Sequence, residues 1–118
     1  MKYKLVCLDM DGTLLNDNKE VSDKNKESIK RLLQNDIKVA VTTGRPFINA
    51  RHFAELIGEN IPIIASNGAY IYEKGKGVIY KKSLSRENVI NVIKILKENG
   101  FYPQFHGIKD IYAEKLQG

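Results

Sequence analysis

Two aspartates separated by a single residue, Asp9 and Asp11, directly follow the apolar run Leu5-Val6-Cys7-Leu8 and directly precede Gly12-Thr13-Leu14. Carboxylates can accept a phosphoryl group, move a proton or hold a hard cation. Side chains alternate along extended backbone, so an Asp-x-Asp pair projects to one side. Gly12 permits a backbone turn that a Cβ would resist. Buried carboxylates are costly unless paired, hydrogen-bonded or metal-bound, so two of them at the mouth of an apolar strand call for a cation. A second chemical group is Thr42-Thr43-Gly44-Arg45-Pro46, a hydroxyl and a glycine where a strand gives way to a helix. The free N–H groups and positive dipole end there make an anion site. Ser66-Asn67-Gly68 is a third candidate. Each has a plain structural alternative: an Asp-rich turn, a helix cap and a hairpin turn.

The elements that must position these groups follow from the apolar pattern. Leu5 to Leu8 reads as a strand buried on both faces, as in a parallel sheet interior. A polar loop, Leu14 to Val21, carries Asn16-Asp17-Asn18-Lys19. Ser22 then caps a helix to about Asn35, with Asp23 in its first turn and Ile29, Leu32 and Leu33 on one face. Ile37 to Thr42 is a second strand, completing a βαβ unit whose crossover should be right-handed. Pro46 opens a helix with apolar face Phe47, Ala50, Phe53, Ala54 and Ile57, closed by Gly58. Ile61 to Ala65 is a third strand. Tyr70-Ile71-Tyr72 and Val78-Ile79-Tyr80 flank a Lys/Gly-rich tip and read as a hairpin. Ser85 caps a helix bearing Val89, Ile93 and Leu96 that ends at Gly100, and Phe101–His106 and Ile108–Glu114 read as strands.

Asp9-Met10-Asp11-Gly12-Thr13-Leu14 resembles the first signature motif of the haloacid dehalogenase-like hydrolases, and Thr43, before Gly44-Arg45, aligns with the second. Together with Asn67-Gly68-Ala69 the likeness narrows to the Cof-type phosphatases, which carry a large α/β cap. The resemblance implies an α/β fold: a partial Rossmann-like parallel sheet of three strands with helices over residues 1–80, including an exit hairpin, then the start of an α/β cap over 81–118. It implies Asp9 as nucleophile, forming an aspartyl-phosphate, and Asp11 as general acid/base. Mg2+ would be held by the Asp9 carboxylate and the Asp11 backbone carbonyl. Gly12, Thr43, Gly44, Arg45 and Asn67 would border the phosphate or substrate, Arg45 serving substrate binding or structural ion pairing. The substrate class implied is a small phosphorylated metabolite, such as a sugar phosphate. The family's third motif, a lysine, and its fourth, an acidic cluster, match no segment here. The expected assignment is therefore an N-terminal portion of a Mg-dependent phosphatase, inactive or nearly so by itself. A non-catalytic fragment or interaction module and a phosphomutase stand as alternatives.

Composition sets the remaining bounds. At 118 residues, 42% apolar and 28% charged, the chain has the profile of a small globular protein. The net charge of +5 comes from lysines scattered over helices and turns, which favours anionic small molecules over nucleic acid. No apolar run approaches the roughly 20 residues of a membrane span. The single cysteine, Cys7, excludes an internal disulfide and is expected to act as a small core hydrophobe in a cytoplasmic setting. His52 and His106 lack a second ligand at zinc spacing. In the family the strand bearing Asp9 is central. With no later strands beside it, that strand becomes an apolar edge, and the chain is expected to self-associate or to pair with a complementary C-terminal fragment.

Overall fold

The computed structural model describes residues 2–113, and the chain divides into two compact units, Met1–Lys81 and Lys82–Gly118. The first unit holds strands β1 (Leu5–Asp9), β2 (Lys38–Thr42), β3 (Ile63–Ala65), β4 (Tyr70–Glu73) and β5 (Gly77–Lys81), with helices α1 (Asp23–Gln34) and α2 (Phe47–Glu55). The strands form one sheet in chain order, β1-β2-β3-β4-β5. β1, β2 and β3 are parallel, with Asp9 beside Thr42 and Thr42 beside Ile64. β4 and β5 add an antiparallel hairpin to β3, so the expected three-stranded core is a mostly parallel sheet of five.

One hydrophobic cluster supports this sheet. Val39 and Val41 of β2, Ile63 and Ala65 of β3, Ile29 of α1, and Ala50 and Ala54 of α2 all lie in it. Fully burying a side chain of the Val or Ile kind stabilises by about 1.5–3 kcal/mol relative to exposure, so this face dominates the energetics. Leu14, Leu15 and Val21 join the cluster and pin the loop after β1. The ring of Phe47, the first residue of α2, packs on Tyr70 and Tyr72 at 5.1 and 4.8 Å between centroids, fixing the start of α2 against β4.

The strand buried on both faces is β2, not β1. Val39 and Val41 face the cluster, and Ala40, pointing the other way, is buried as well. In β1 the alternate residues Val6 and Leu8 are partly buried, whereas Leu5 and Cys7 are exposed. β1 ends the sheet, and nothing among the described residues covers its outward face. The expectation that Cys7 is a core hydrophobe is corrected for the same reason.

The serine-capped helix starts follow the expected chemistry, whereas α2 begins one residue after Pro46, its N-cap, and ends at Glu55, short of Gly58. The Ser22 hydroxyl accepts from the Asn25 N–H at 3.1 Å, and Ser85 does the same for Asn88 at the start of α3 (Arg86–Glu98). The second unit consists of α3 and a two-stranded antiparallel sheet, β6 (Gln104–His106) with β7 (Ile111–Ala113). Both strands are shorter than the apolar pattern suggests, and Glu114 lies outside the described residues. No described residue of this unit is buried.

Candidate active site

Because β1, β2 and β3 are parallel and in register, their C-terminal ends share one edge of the sheet, where open α/β sheets place their ligands. Three loops meet there. The first turns back on itself: Thr13 and Leu15 N–H groups donate to the Met10 carbonyl and Leu14 N–H to that of Asp9, with Gly12 at φ +75° making the reversal. Met10, wholly buried, anchors this loop, leaving Asp9 and Asp11 on the solvent side. The Asp9 Oδ1 accepts the Met10 N–H at 2.8 Å.

The second loop, Thr43–Pro46, is held by the third. Ser66 N–H donates to the Arg45 carbonyl at 2.9 Å and Asn67 N–H to the Thr43 carbonyl at 3.0 Å. Ser66 and Asn67 both take left-handed backbone, at φ +49° and +56°, an arrangement that costs energy and clusters at functional sites. The Asn67 amide lies over Gly44, where a Cβ would meet its Oδ1 at 3.1 Å. Glycine at 44 is thus what lets the two loops close. Thr43 is buried, and its Oγ1 accepts the Arg45 N–H at 3.0 Å, which leaves the hydroxyl proton for a further acceptor.

Arg45 links the loops electrostatically. Its Nε donates to Asp11 Oδ2 at 2.7 Å and its Nη2 to Oδ1 at 2.8 Å, a bidentate pairing, while its guanidinium lies 4.9 Å from the centroid of the Phe53 ring. Lys19 Nζ adds a third bond, to Asp11 Oδ1 at 2.9 Å. The Arg45 guanidinium, and after it the Lys19 ammonium, hold the Asp11 carboxyl well below the usual carboxylate range. Asp11 in turn pushes the Arg45 guanidinium up. Of the two roles open to Arg45, the structure displays ion pairing.

The residues singled out from the sequence therefore fall on three adjacent loops: Asp9, Asp11 and Gly12 after β1, Thr43, Gly44 and Arg45 after β2, Asn67 after β3. Lys19 and Phe53 were not singled out. Lys19 sits in a polar loop whose pattern carries no sign that its side chain returns to Asp11, and Phe53 reads as ordinary helix apolar face. A cleft of about 210 Å3 lined by residues including Arg51, Glu55, Ile63, Tyr72 and Lys74 lies where the N-terminal residue of β3 meets β4, and none of the candidate residues lines it.

For a hard divalent cation the donor chemistry fits. Asp9 offers a carboxylate and Asp11 a carbonyl, both oxygen, as Mg2+ prefers. The set is sparse, since no group of three or more His, Cys, Asp or Glu able to hold a metal occurs among the described residues.

Comparison with known proteins agrees with this architecture. Residues 6–117 match the profile of the haloacid dehalogenase-like hydrolases. A 5-amino-6-(5-phospho-D-ribitylamino)uracil phosphatase of Bacillus subtilis is 33% identical over 86 residues, 73% of this chain and 34% of that protein. The phosphatase YwpJ of the same organism is 30% identical over 105 residues, 88% of this chain and 37% of its own. The solved structure of a haloacid dehalogenase-like hydrolase from B. subtilis superposes with a TM-score of 0.83 at 28% identity, covering 97% of this chain and 40% of that one. The chain thus spans between about a third and two-fifths of the length of these relatives. With the Asp-x-Asp-Gly-Thr turn, the Thr-Gly-Arg loop and the profile match all in one chain, it belongs to the haloacid dehalogenase-like hydrolases.

Proposed function

We propose that this chain carries the nucleophile-bearing part of a Mg2+-dependent phosphatase acting on small phosphate monoesters, sugar phosphates among them. One observation carries the reading: parallel register brings Asp9, Asp11 and Thr43 to one sheet edge, with Asp11 bridged to the Thr43 loop by Arg45. A phosphorylated sugar-alcohol derivative as substrate of the B. subtilis relative supports the substrate class. In the first step an Asp9 oxygen forms a bond to phosphorus as the ester oxygen departs, taking a proton from Asp11, which carries that proton only once its Arg45 and Lys19 pairing loosens. Water then attacks the aspartyl-phosphate, gives its proton to Asp11, and releases inorganic phosphate and free Asp9. Thr43 donates its hydroxyl proton to a phosphoryl oxygen. Asp9 and the Asp11 carbonyl would hold Mg2+, which supplies neutralisation of the phosphoryl charge.

Asp9→Asn in the full-length gene product, assayed with Mg2+ and an aryl phosphate, tests this. The change preserves shape and removes the nucleophilic charge, so activity should fall by at least about a hundredfold. Retention of more than about a tenth would defeat the assignment.

The exposed β1 supports a second part of the reading, association. Its Leu5–Leu8 run carries no charge or proline to discourage pairing, and its partner is a second copy of the chain or a polypeptide that supplies further strands. No helix among the described residues is long and apolar enough to cross a membrane.

A further inference from the structure

From the loops that follow β2 and β3, we infer that Asn67 is a positioning residue for the reaction: its side-chain amide, packed on Gly44, aims the Thr43 hydroxyl. The inference rests on the phosphatase reading above, and it has Asn67 act through Thr43 rather than on the substrate.

Two observations carry it. The first is how the two loops are joined. Thr43 N–H donates to the Ile64 carbonyl at 2.9 Å, Asn67 N–H to the Thr43 carbonyl at 3.0 Å and Ser66 N–H to the Arg45 carbonyl at 2.9 Å. Beyond Pro46, the Phe47 ring packs on Tyr70. The residues on both sides of Gly44 are thus tied to β3 or to the loop after it. Gly44 takes no part in these bonds, and the Asn67 amide covers it instead.

The second is the fit at that point. A Cβ on residue 44 would meet the Asn67 Oδ1, Nδ2 and Cγ at 3.1, 3.5 and 3.6 Å, so the amide already stands where a side chain would. Gly44 is not left-handed, so closeness and not conformation keeps a side chain out. Asparagine suits position 67, because it is among the few residues other than glycine enriched in left-handed backbone, here φ +56°.

The link to the chemistry is the bond that spans Gly44. Thr43 Oγ1 accepts the Arg45 N–H at 3.0 Å, so a shift of Gly44 turns the hydroxyl. Thr43 is only 5% exposed, and the packing of its own loop therefore sets the direction of its remaining proton. A hydrogen bond to a transferring group weakens steeply when misaligned, and small misplacements cost large factors in rate.

The test is steady-state kinetics of the full-length gene product with Mg2+ on an aryl phosphate and an alkyl phosphate. Asn67→Gly keeps the left-handed backbone and deletes the amide. It should lower kcat about tenfold on both substrates, with KM within about threefold. Thr43→Val should lower kcat by about a hundredfold, and adding Asn67→Gly to it should cost nothing more, because the hydroxyl to be aimed is gone. Gly44→Ala should be impaired by the meeting of its Cβ with the amide. Asn67→Gly should restore most of that loss, since the new methyl then fills the vacated place. Thermal melting of each variant controls for folding. Unchanged kcat in Asn67→Gly overturns the proposal. So do losses that add to those of Thr43→Val, the mark of a direct substrate contact, and so does a Gly44→Ala loss that Asn67→Gly fails to relieve. Failure of the underlying reading looks different: wild type without phosphatase activity, or Asp9→Asn or Thr43→Val as active as wild type.

Discussion

Helices α1 and α3 carry nearly the same instructions and meet different fates. Each starts at a serine cap, has an acidic residue in its first turn, and ends at an asparagine whose side-chain amide donates to the carbonyl four residues back, Arg31 at 2.7 Å and Ile95 at 2.8 Å. In α1, Ile29 is 3% exposed and packs into the core of the first unit. In α3 the stripe of Val89, Ile93 and Leu96 is only partly buried, and Ile95 and Ile90 beside it are 58% and 52% exposed. An amphipathic stripe makes a helix eligible for burial, and only a partner surface converts it into stability.

The comparison can be broken most directly by the same substitution in both helices. Ile29→Ala should cost about 2–5 kcal/mol through lost burial and the cavity left behind, and Ile95→Ala less than about 0.5 kcal/mol, since alanine's better helix propensity offsets the small burial lost. Urea unfolding followed by circular dichroism gives both numbers. Equal losses would mean that the α3 face is covered in solution.

The two edges of the five-stranded sheet sharpen the contrast further. β5 runs into Lys81 and Lys82 and pairs with β4 across an irregularity at Ile71 and Tyr72, devices that discourage further pairing. β1 has neither. Leu5→Lys should therefore weaken self-association about tenfold or more in sedimentation experiments over a concentration series, whereas Ile79→Lys on β5 should change it little. A wild-type chain that stays monomeric at every concentration would remove the basis of the contrast.

Much of this was legible in the sequence. The cap residues Ser22 and Ser85, the Gly12 reversal and the strand ends carrying Asp9 and Thr43 are local signals, and local chemistry decides them. The burial of β1 on both faces was misjudged because an apolar run states what a strand could bury, not how many faces are covered, whereas its place at the sheet edge is the one expected in the absence of later strands. Lys19, and Asp11 as the partner of the ion pairing expected for Arg45, were beyond reach for a related reason. They depend on where separated loops meet, and hydrophobic period carries no record of that. The closeness of Asn67 to Gly44 is an intermediate case, since Asn-Gly marks a turn but not the neighbour the turn will touch.

The smallest effect separates the two helices at their last residues. Both finish with the same pair of backbone bonds: Asp36 N–H to Leu33 and Ile37 N–H to Leu32, Gly100 N–H to Lys97 and Phe101 N–H to Leu96. The residue that must turn left-handed is Asp36 at φ +60° in one and Gly100 at φ +79° in the other. Gly100→Ala forces a Cβ into that conformation and should lower the hydrogen-exchange protection of α3 amides by about fivefold, roughly 1 kcal/mol. Asp36→Gly relieves the same strain but also loosens the unfolded chain, so the two terms nearly cancel and the net gain should be a few tenths of a kcal/mol. The anchoring residue differs too, for Ile37 is buried whereas Phe101 is 63% exposed. The α1 terminus is thus held by packing even with the poorer residue, and the α3 terminus relies on its glycine. A loss above about 1 kcal/mol in Asp36→Gly would show that the aspartate side chain, and not packing at Ile37, secures the end of α1.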